Sequence, residues 1–495
     1  SVSIFAQAPN YEAAQKFDAP NLSKLIGTTK VIPFFLKNGK YFWFVADEPN
    51  IDTSKSDSSA EAINNKTTAH YIVNLATGKK QLLFDKKQIV SALKVLTGEA
   101  VQEKQVLYWA NFSEDETCVE VKYGTKTYDY NFETKKLTAQ LSRAPLKKIA
   151  SFNVSSDGKW ELYSKAHNLY IAPTANKNEE RQLSFDAEPY FSFCVDQKGD
   201  YTKDKAYPSN AKWIGSKYFY AVRVDTRKVA TMSVIASSIT PRPRVSTYKY
   251  ELPGDKDVAQ YELYIGNADE GTFKKVDLTR WPDQQLEVVP AEGTKSDVYV
   301  IRRKRTRDEM ELCAVDLATG NVRSIIHEIS KPFINEDFFN VSIIKGGKEI
   351  IWWSDRSGWG QYYRYDANGK LLNRITSGDF TAGKIISMDL QKGQMYLYAF
   401  GKRAEINPYY SMVYRVALDG KTEQLLTPEN ATHQVFISPD RKYFVDNYSR
   451  IDMAPVSVLR KIDGKQIAEV LNPNVSKLYS YGWRNAESFT VKAKD

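Results

Sequence analysis

The sequence predicts an all-β fold: an eight-bladed β-propeller of mostly four-stranded antiparallel blades, with a short N-terminal helical segment. Three observations support this fold class. The chain of 495 residues contains 31 tyrosines and 9 tryptophans, residue types that favour half-buried strands. Turns that end in Lys or a similar polar residue precede an aromatic or β-branched run eight times. Between these runs a strand–turn–strand phrase recurs, as expected of a repeat architecture.

The N-terminus carries a pattern of export. The first eight residues, SVSIFAQA, end in A-x-A after an apolar stretch, which is typical of the tail of a secretory signal peptide. Residues 1–8 are therefore interpreted as a signal-peptide remnant, and the protein as exported to the periplasm or the extracellular space. A chance apolar N-terminus is the alternative. Residues 9–32 are expected to contain two helical pieces, NYEAAQKF and APNLSKLIG. No later segment approaches the ~18–20 apolar residues of a membrane span.

The turns that begin the aromatic runs assign the eight blades to residues 33–480. They recur roughly every 45–60 residues, the spacing of propeller blades. Each run is predicted to be an inner strand. One such unit cannot bury both faces of its sheet alone, so neighbouring units are expected to pack together. The starting residues are Lys40, Lys104, Lys159, Lys217, Lys295, Lys348, Lys392 and Lys442.

The recurring phrase predicts the outer hairpin of each blade. It appears as YIVNLATGKKQLL at 71–83 and as LCAVDLATGNVRSI at 312–325. Its Thr-Gly pair is a hairpin signal, because glycine supplies the positive φ that such turns require. Alternation then places apolar residues on one face of the sheet and polar residues on the other.

Two further stretches are interpreted from the blade pattern. In KEIIWWSDRSGW, Trp352 and Trp353 are predicted to fill the space between neighbouring blades. The interval from Lys217 to Lys295 is the longest, and it contains PRPR, which cannot lie in a central strand because proline has no N–H. Residues 236–258 are therefore predicted to form an arm that projects from the fourth blade.

Charge and metal-ligand patterns weigh against several functions. The net charge is +9, and the densest basic run, Arg302 to Arg307, is followed directly by Asp308 and Glu309. We interpret this run as a solvated edge strand or loop, and we expect no nucleic-acid partner because no aromatic-interleaved basic motif accompanies it. The four histidines lack HxH or HExxH spacing, and the three cysteines lie far apart. No metal and no cofactor are expected.

Several stretches resemble the N-terminal propeller of the dipeptidyl peptidase IV family, serine peptidases of the prolyl oligopeptidase clan. They include RQLSFDAEPY at 181–190 and WWSDRSGWGQYYRYDANGKLLNRITSGDF at 352–380. The stretch from 414 to 465, which contains THQVFISPDRKYFVDNYS, is similarly specific. The resemblance covers the chain from about residue 20 to its end.

The resemblance implies a second, catalytic domain. In the family, an α/β-hydrolase domain with the Ser-Asp-His triad follows the propeller, and residues 481–495 resemble its start. No G-x-S-x-G nucleophile motif occurs in this sequence. The stretch around Ser357 comes nearest to this motif, but Asp355 stands where the first glycine is required. These residues therefore resemble the non-catalytic portion of a serine-type dipeptidyl or tripeptidyl aminopeptidase, with the triad absent.

The resemblance also implies where a peptide would bind. Family members hold the ammonium of the peptide's N-terminus with a Glu-Glu pair after an R-Q-L-T-like strand. Here the pair Glu179-Glu180 precedes Arg181 and is interpreted as solvent-exposed hairpin charge. The expected region offers Glu188 instead, followed by Asp196, Asp200 and Asp204, and VRVDTRKV at 222–229 resembles the strand that borders the pocket. The predicted substrate-binding residues are Glu188, Arg223, Asp225 and Arg227, with a turn cap and a surface strand charge as the alternatives for Glu188 and Asp225.

Three functions remain open from the sequence. The first is a propeller that gates an exported exopeptidase and anchors the free N-terminus of its peptide substrates. The second is a stand-alone propeller that binds peptides or glycans without catalysis. The third is a propeller glycosidase, which would need paired carboxylates, with Asp47, Asp355 and Asp446 as candidates. A homodimer formed through the arm at 236–258 is also left open.

Overall fold

The computed structural model describes residues 11–15, 17–49, 66–140, 153–294 and 296–494. The predicted signal-peptide remnant, 1–8, and the turn residue Lys295 lie outside the described residues. Two short helices precede the first sheet: α1 (Tyr11–Gln15) and α2 (Ala19–Leu25). Asp18 caps α2 by accepting a hydrogen bond from the Asn21 N–H at 3.0 Å, as N-cap carboxylates do. The predicted N-terminal helical segment is confirmed.

The described strands form eight four-stranded antiparallel sheets and one separate two-stranded hairpin. The first three sheets, in chain order, are β1–β4 (Phe34–Phe35, Tyr41–Pro49, Lys66–Asn74, Lys80–Leu82), β5–β8 (Val106–Phe112, Cys118–Tyr123, Lys126–Asn131, Leu137–Ala139) and β9–β12 (Asn153–Val154, Trp160–Lys165, Asn168–Pro173, Arg181–Gln182). Helix α3 (Lys86–Thr97) connects the first sheet to the second.

The fourth sheet contains an insertion, and the other sheets are continuous meanders. Sheet 4 is β13 (Lys212–Ile214), β14 (Tyr218–Asp225), β17 (Gln260–Asn267) and β18 (Thr272–Val276), with the hairpin β15 (Thr231–Ala236) and β16 (Arg244–Lys249) inserted after β14. Sheets 5 and 6 are β19–β22 (Gln285–Val289, Asp297–Arg303, Glu309–Asp316, Val322–Ile329) and β23–β26 (Val341–Ile344, Glu349–Ser354, Gln361–Asp366, Leu371–Arg374).

The last two sheets complete the repeat. They are β27–β30 (Thr381–Asp389, Gln394–Phe400, Met412–Ala417, Glu423–Leu425) and β31–β34 (Thr432–Ile437, Tyr443–Arg450, Met453–Lys461, Gln466–Leu471), followed by helix α4 (Ser476–Ser480). The strand order in each sheet follows the chain. The predicted fold class, an all-β propeller of four-stranded antiparallel blades, is confirmed. Residues 483–494 form neither helix nor strand.

The chain divides into two compact units. Unit 1 combines Ser1–Pro145 with Gly378–Asp495 and therefore contains sheets 1, 2, 7 and 8. Unit 2 is the continuous segment Leu146–Ser377 and contains sheets 3 to 6.

The aromatic runs occupy the second strand of their sheets, where a strand on each side supplies hydrogen-bond partners. This holds for seven of the eight runs in the described sheets, for example in β14, which pairs with both β13 and β17. The exception is the run after Lys104, which forms β5, the first strand of sheet 2. A two-sided position suits these residues because β-branched and aromatic side chains pack well on both faces of a pleat.

The recurring Thr-Gly phrase forms the same turn in sheets 1 and 5. The Asn74 Oδ1 accepts hydrogen bonds from the N–H groups of Ala76 and Thr77 at 3.0 Å. Asp316 does the same for the corresponding residues of sheet 5. Gly78 has φ 71°, and a Cβ there would lie 2.3 Å from the Ala468 Cβ. Both the backbone conformation and the close approach therefore require glycine at this position.

The two adjacent tryptophans are buried on opposite faces of β24. Trp352 belongs to a hydrophobic cluster built from sheets 5 and 6, in which its ring meets Phe339 edge-on at 4.9 Å. Its Nε1 donates to the Glu328 Oε2 at 3.0 Å. The predicted packing of Trp352 between neighbouring blades is confirmed. Trp353 covers Gly360, where a Cβ would lie 2.1 Å from its ring.

The basic run at 302–307 is not a solvated edge. Arg302 and Arg303 belong to β20, which has a neighbour on each side, and both side chains are buried. Arg302 pairs with Glu311 at 2.5 Å, and Arg303 pairs with Glu287 at 2.7 Å. The following Lys304 pairs with Glu309 at 2.8 Å. The interpretation was wrong for Arg302 and Arg303, because they lie in a central strand opposite acids of neighbouring strands. Lys304 to Arg307 form the turn between β20 and β21, a loop as predicted.

The insertion in sheet 4 is the exposed hairpin β15–β16. It begins at Thr231, earlier than the predicted arm at 236–258, because the apolar residues before PRPR already belong to the hairpin. Thr231 pairs with Lys249, and Ala236 pairs with Arg244. The prolines lie in the turn and at its edge, outside a central strand.

Candidate functional site

The loop after the last strand of sheet 3 carries two acidic residues, Asp186 and Glu188, and ends in a tight turn. The Phe191 N–H donates to the Glu188 carbonyl at 2.9 Å, and Pro189 and Tyr190 form the corner. Tyr190 has φ 66°, as a type II turn requires at its third position, where glycine is favoured. An aromatic residue there costs about 1–3 kcal/mol. The Tyr190 carbonyl accepts a hydrogen bond from the Thr226 N–H at 2.9 Å, which helps to hold this conformation.

Asn168 fixes the start of the same loop. Its Oδ1 accepts hydrogen bonds from the Ser184 hydroxyl at 3.0 Å and from the Ala187 N–H at 3.2 Å. The Ser184 hydroxyl oxygen in turn accepts from the Leu169 N–H at 2.9 Å. The acidic loop from 184 to 191 is therefore held at both ends.

Strand β14 and the turn after it supply the basic side chains. Its burial alternates, so that Phe219, Ala221 and Arg223 point to the buried face, as the two-residue period of a strand requires. Arg223 therefore takes a position that would otherwise be a core residue. Asp225 is the last residue of β14, and Arg227 lies in the turn that follows the strand.

Arg223 is enclosed by acids and aromatic rings. Only 2% of its side chain is exposed. Its Nη1 and Nη2 donate to the two carboxylate oxygens of Asp186 at 2.7 and 3.1 Å. Its Nε and Nη2 donate to the Glu262 Oε2 at 3.1 and 2.9 Å, and Nη2 also reaches the Tyr264 hydroxyl at 2.5 Å. A bidentate guanidinium–carboxylate pair fixes orientation as well as charge.

Arg227 makes a second, more exposed set of contacts. Its Nε and Nη2 donate to the two carboxylate oxygens of Asp225 at 2.9 and 2.6 Å. Its Nη1 donates to the Glu188 Oε1 at 2.5 Å. The four residues predicted from the sequence, Glu188, Arg223, Asp225 and Arg227, are thus brought together in one cluster.

Phe191 lies between the two arginines. The guanidinium carbon of Arg223 is 3.5 Å from its ring centroid, and that of Arg227 is 4.1 Å away. Such cation–π contacts are worth more when the cation is desolvated, as Arg223 is. Phe191 therefore couples the two salt-bridge sets. We call the set of Asp186, Glu188, Phe191, Arg223, Asp225, Arg227 and Glu262 the acidic loop site.

The ion pairs shift the ionisation of the site. Hydrogen bonds from Arg223 hold the pKa of Asp186 below its usual value, and hydrogen bonds from Arg227 lower the pKa of Asp225. Burial alone lowers the pKa of Arg223, but hydrogen bonds to Asp186 and Glu262 more than offset this and raise it. Burial also raises the pKa of Glu262, but its pairing with Lys275 and Arg223 brings the net pKa down.

The site leaves acidic groups facing the solvent. The side chains of Asp186 and Glu188 are 63% and 53% exposed although each is held by an arginine. Four carboxylates face two guanidinium groups and the ammonium of Lys275, which contacts Glu262 at 2.6 Å. Lys249 adds a further ammonium, which binds the carbonyl oxygens of Arg227 and Val229, so carboxylates and cations balance around the site. Two fixed, solvent-facing carboxylates of this kind can accept hydrogen bonds from an ammonium group.

A cavity adjoins the site. It has a volume of about 670 Å³ and lies where β17 and β18 meet the segment leading to β19. Its lining includes Glu262, Lys275, Tyr261 and Trp281. Glu262 therefore contacts Arg223 on one side and borders the cavity on the other. The volume is within the range of roughly 300–1,000 Å³ typical of ligand pockets.

The other acidic residues considered from the sequence lie apart from this cluster. Glu179 and Glu180 are exposed, as predicted. Glu180 is not a free surface charge, because it pairs with Lys165 at 2.7 Å and accepts from the Tyr163 hydroxyl at 2.5 Å. Asp196 accepts from the Lys198 N–H in a turn. The remaining two acids, Asp200 and Asp204, are exposed.

A second group in the described residues has metal-ligand chemistry. Glu429, His433 and Asp446 bring one ligand atom each within 4.8 Å of one another. His433 Nδ1 lies 2.9 Å from the Asp446 Oδ1, and the Arg460 guanidinium donates to Glu429 at 2.6 Å and to Asp446 at 3.1 Å. The Arg460 guanidinium already supplies positive charge between these two carboxylates, so we interpret the group as a buried polar network. It also encloses Asp446, one of the glycosidase candidates.

The structure adds site residues that sequence reasoning missed. Asp186 lies two positions before Glu188, within the quoted stretch RQLSFDAEPY, and this spacing was the available signal. Glu262 and Tyr264 come from β17, directly across from β14, where Arg223 pairs with Glu262 in register. No local pattern indicates that pairing, because the inserted hairpin separates the two strands.

The fold and this site define a β-propeller with a cluster of ion pairs where the loop after its third sheet meets its fourth sheet. The chain belongs to the dipeptidyl peptidase IV family, since residues 104–455 match the family model of the dipeptidyl peptidase IV (DPP IV) N-terminal region. It is similar to the crystal structure of Porphyromonas gingivalis dipeptidyl peptidase 4, with a TM-score of 0.58 and 17% identity over 96% of this chain and 63% of that one.

A second solved structure has the same fold. It is a Bacteroides ovatus protein assigned as a dipeptidyl aminopeptidase IV, with a TM-score of 0.50 and 16% identity over 82% of this chain and 58% of that one. This chain thus spans less than two thirds of either protein's length. Among the described residues, no helix has both the length and the apolar character needed to cross a membrane.

Proposed function

We propose that this chain is the non-catalytic propeller region of an exported serine exopeptidase of the dipeptidyl peptidase IV type. In this proposal the acidic loop site anchors the free N-terminus of a peptide, and the propeller gates access to the catalytic domain. The observation that carries the proposal is the pair of solvent-facing carboxylates, Asp186 and Glu188, each fixed by its own arginine.

The chemistry of the site favours an ammonium ligand. Hydrogen bonds between an ammonium and a carboxylate are charge-assisted and worth roughly 1.5–3 kcal/mol each. Arg223 and Arg227 hold the carboxylates in place before the ligand arrives, so little ordering cost remains on binding. Acetylating the N-terminus removes the positive charge and should abolish these contacts.

The catalytic part of the reaction is assigned to another domain of the same protein. Ser357 lies in the exposed turn between β24 and β25, and its hydroxyl donates to the Trp359 carbonyl at 3.2 Å, which is not the setting of a nucleophile. Family membership supports an α/β-hydrolase domain with a Ser-Asp-His triad as the partner. The A-x-A pattern at 6–8 supports export.

The proposal is tested by peptide binding. We expect calorimetric titration with a short Gly-Pro peptide to show binding with a free N-terminus and none after N-acetylation. The double variant Asp186→Asn/Glu188→Gln should lose this binding, whereas Asp200→Asn, at an exposed acid outside the cluster, should keep it. Equal binding of the free and acetylated peptides would overturn amine anchoring and favour a stand-alone binding propeller.

Activity is tested on the full-length protein. Dipeptide and tripeptide anilides with free N-termini should be cleaved, and the acetylated forms should not. The preferred substrate length would show whether the site with Asp186 and Glu188 accommodates two or three residues before the cleaved bond. A full-length protein that cleaves neither substrate would contradict the exopeptidase assignment.

A further inference from the structure

The exposed hairpin β15–β16 returns to the sheet beside the acidic loop site. Lys249 is the last residue of β16 and pairs with Thr231 across the hairpin. The next residue, Tyr250, donates its N–H to the Ala230 carbonyl at 2.9 Å. These two contacts close the base of the hairpin, next to the turn that contains Arg227 and Val229.

The ammonium of Lys249 binds the backbone that carries Arg227. It donates to the carbonyl oxygen of Arg227 at 2.9 Å and to that of Val229 at 2.7 Å. It also lies 5.3 Å from the ring centroid of Tyr190. A single side chain of the hairpin thus contacts both the turn that follows β14 and the strained corner of the acidic loop.

The turn between these contacts is tied to the acidic loop as well. The Val229 N–H donates to the Thr226 carbonyl at 3.1 Å, which closes the turn. The Thr226 N–H donates to the Tyr190 carbonyl at 2.9 Å. Arg227 lies inside this turn and reaches Glu188 from it. Movement of the turn would therefore change how Arg227 holds Glu188.

We propose that Lys249 is a positioning residue of the acidic loop site. Its ammonium fixes the backbone from which Arg227 reaches Glu188, and it thereby couples the conformation of the exposed hairpin to that of the site. A partner that pulls the hairpin away from the sheet would withdraw the ammonium and loosen Glu188. This inference rests on the proposed function for its effect on peptide binding, but not for its effect on the turn.

The test compares three lysine variants of the whole chain. Lys249→Met removes the ammonium and keeps the length of the side chain. Lys249→Arg restores a donor to the two carbonyls. Lys256→Met changes an exposed lysine of the same insertion and serves as the matched control. Lys249→Gln replaces Lys249→Met if that variant does not fold.

Two readouts separate positioning from general stability. Hydrogen exchange is measured on peptides that cover 226–229, and on the Nε–H of Arg227 in protein labelled with ¹⁵N-arginine. We expect both to exchange at least about tenfold faster in Lys249→Met, because the variant loses the two charge-assisted hydrogen bonds of the ammonium. Affinity for the free-amino Gly-Pro peptide should fall several-fold. Lys249→Arg should recover most of both effects, and Lys256→Met should match the wild type.

Unchanged exchange at 226–229 and at the Arg227 Nε–H would overturn the inference. So would an equal loss of affinity in Lys256→Met, because that would show a general effect of charge. If the wild-type chain binds neither the free nor the acetylated peptide, the proposed function fails. The exchange of the Arg227 Nε–H then decides the inference alone: a faster rate in Lys249→Met supports it, and an unchanged rate refutes it.

Discussion

The side-chain amide of Asn447 makes two hydrogen bonds to the backbone of Val31. Its Oδ1 accepts from the Val31 N–H, and its Nδ2 donates to the Val31 carbonyl, both at 2.9 Å. The Ser457 hydroxyl donates to the same Oδ1 at 2.6 Å and fixes the orientation of the amide. Val31 precedes β1 and Asn447 lies in β32, so one side chain joins the N-terminal segment to the last sheet as a paired strand would.

Replacing Asn447 should destabilise unit 1. Asn447→Leu leaves the buried N–H and C=O of Val31 without these partners, so the free energy of unfolding should fall by about 1–3 kcal/mol. Urea denaturation followed by tryptophan fluorescence measures this change. Asn178→Leu, at an exposed asparagine, is the control. If the free energy of unfolding falls no further than in the control, the Asn447 amide does not stabilise the contact between the N-terminal segment and the last sheet.

The two arginines of the acidic loop site should differ in their effect on stability. Arg223→Met leaves Glu262 largely buried without its guanidinium partner, and the free energy of unfolding should fall by roughly 3 kcal/mol. Arg227→Met removes the same charge from an exposed pair and should cost less than about 1 kcal/mol. Both are measured by urea denaturation. Similar losses for the two variants would contradict the burial argument.

Acid should weaken the loop through Asp186. Arg223 lowers the pKa of this carboxyl below its ordinary value of 3.8 in the folded state. Its contribution is therefore fully present above pH 3.8 and is lost as the pH falls through the lower, folded-state pKa. The wild type should therefore lose more stability than Asp186→Asn as the pH falls below about 3.8. Parallel pH profiles for the two proteins would refute this contribution.

Truncating the buried tryptophan should cost far more than truncating its exposed neighbour. Trp352→Ala opens a cavity in the cluster between sheets 5 and 6, and the free energy of unfolding should fall by about 3–5 kcal/mol. Trp359→Ala, in the exposed turn that follows, should change it by less than about 0.5 kcal/mol. Thermal and urea denaturation of both variants test this difference. Equal effects would mean that Trp352 does not pack as described.

The hairpin β15–β16 should carry any self-association of the chain. Ile235 and Val245 pair across it and are 66% and 64% exposed, and exposed apolar clusters of this kind favour protein contacts. Ile235→Glu combined with Val245→Glu should lower the mass measured by light scattering at high concentration and leave the circular dichroism spectrum unchanged. A mass that the substitutions do not change would remove the hairpin from that role.

Local patterns predicted the repeat but not its long-range pairings. The turns at Gly78 and Gly320 depend on residues only a few positions away, so the sequence predicted the outer hairpins. Arg302 and Arg303 appear as a solvated basic run because their partners, Glu311 and Glu287, lie on adjacent strands. The start of the hairpin at Thr231 was missed because its apolar residues resemble those of a core strand.

The candidate site shows the same limit. Glu188, Arg223, Asp225 and Arg227 were found through a family resemblance, and the structure brings them together around Phe191. Asp186 and Glu262 were missed although they hold Arg223 between them. Their part in the site depends on loop geometry and on a strand pairing across the inserted hairpin, and neither leaves a periodic signal in the sequence.

The division of the chain into two units has a consequence for protein synthesis. Leu146–Ser377 is continuous and can complete its contacts within one stretch of chain, whereas unit 1 needs Gly378–Asp495 as well. At roughly 5–20 residues per second, the first 145 residues wait roughly 20–70 s for that second stretch. Throughout this interval Val31 has no Asn447 to bind. The N-terminal sheets are therefore made first but complete their contacts last.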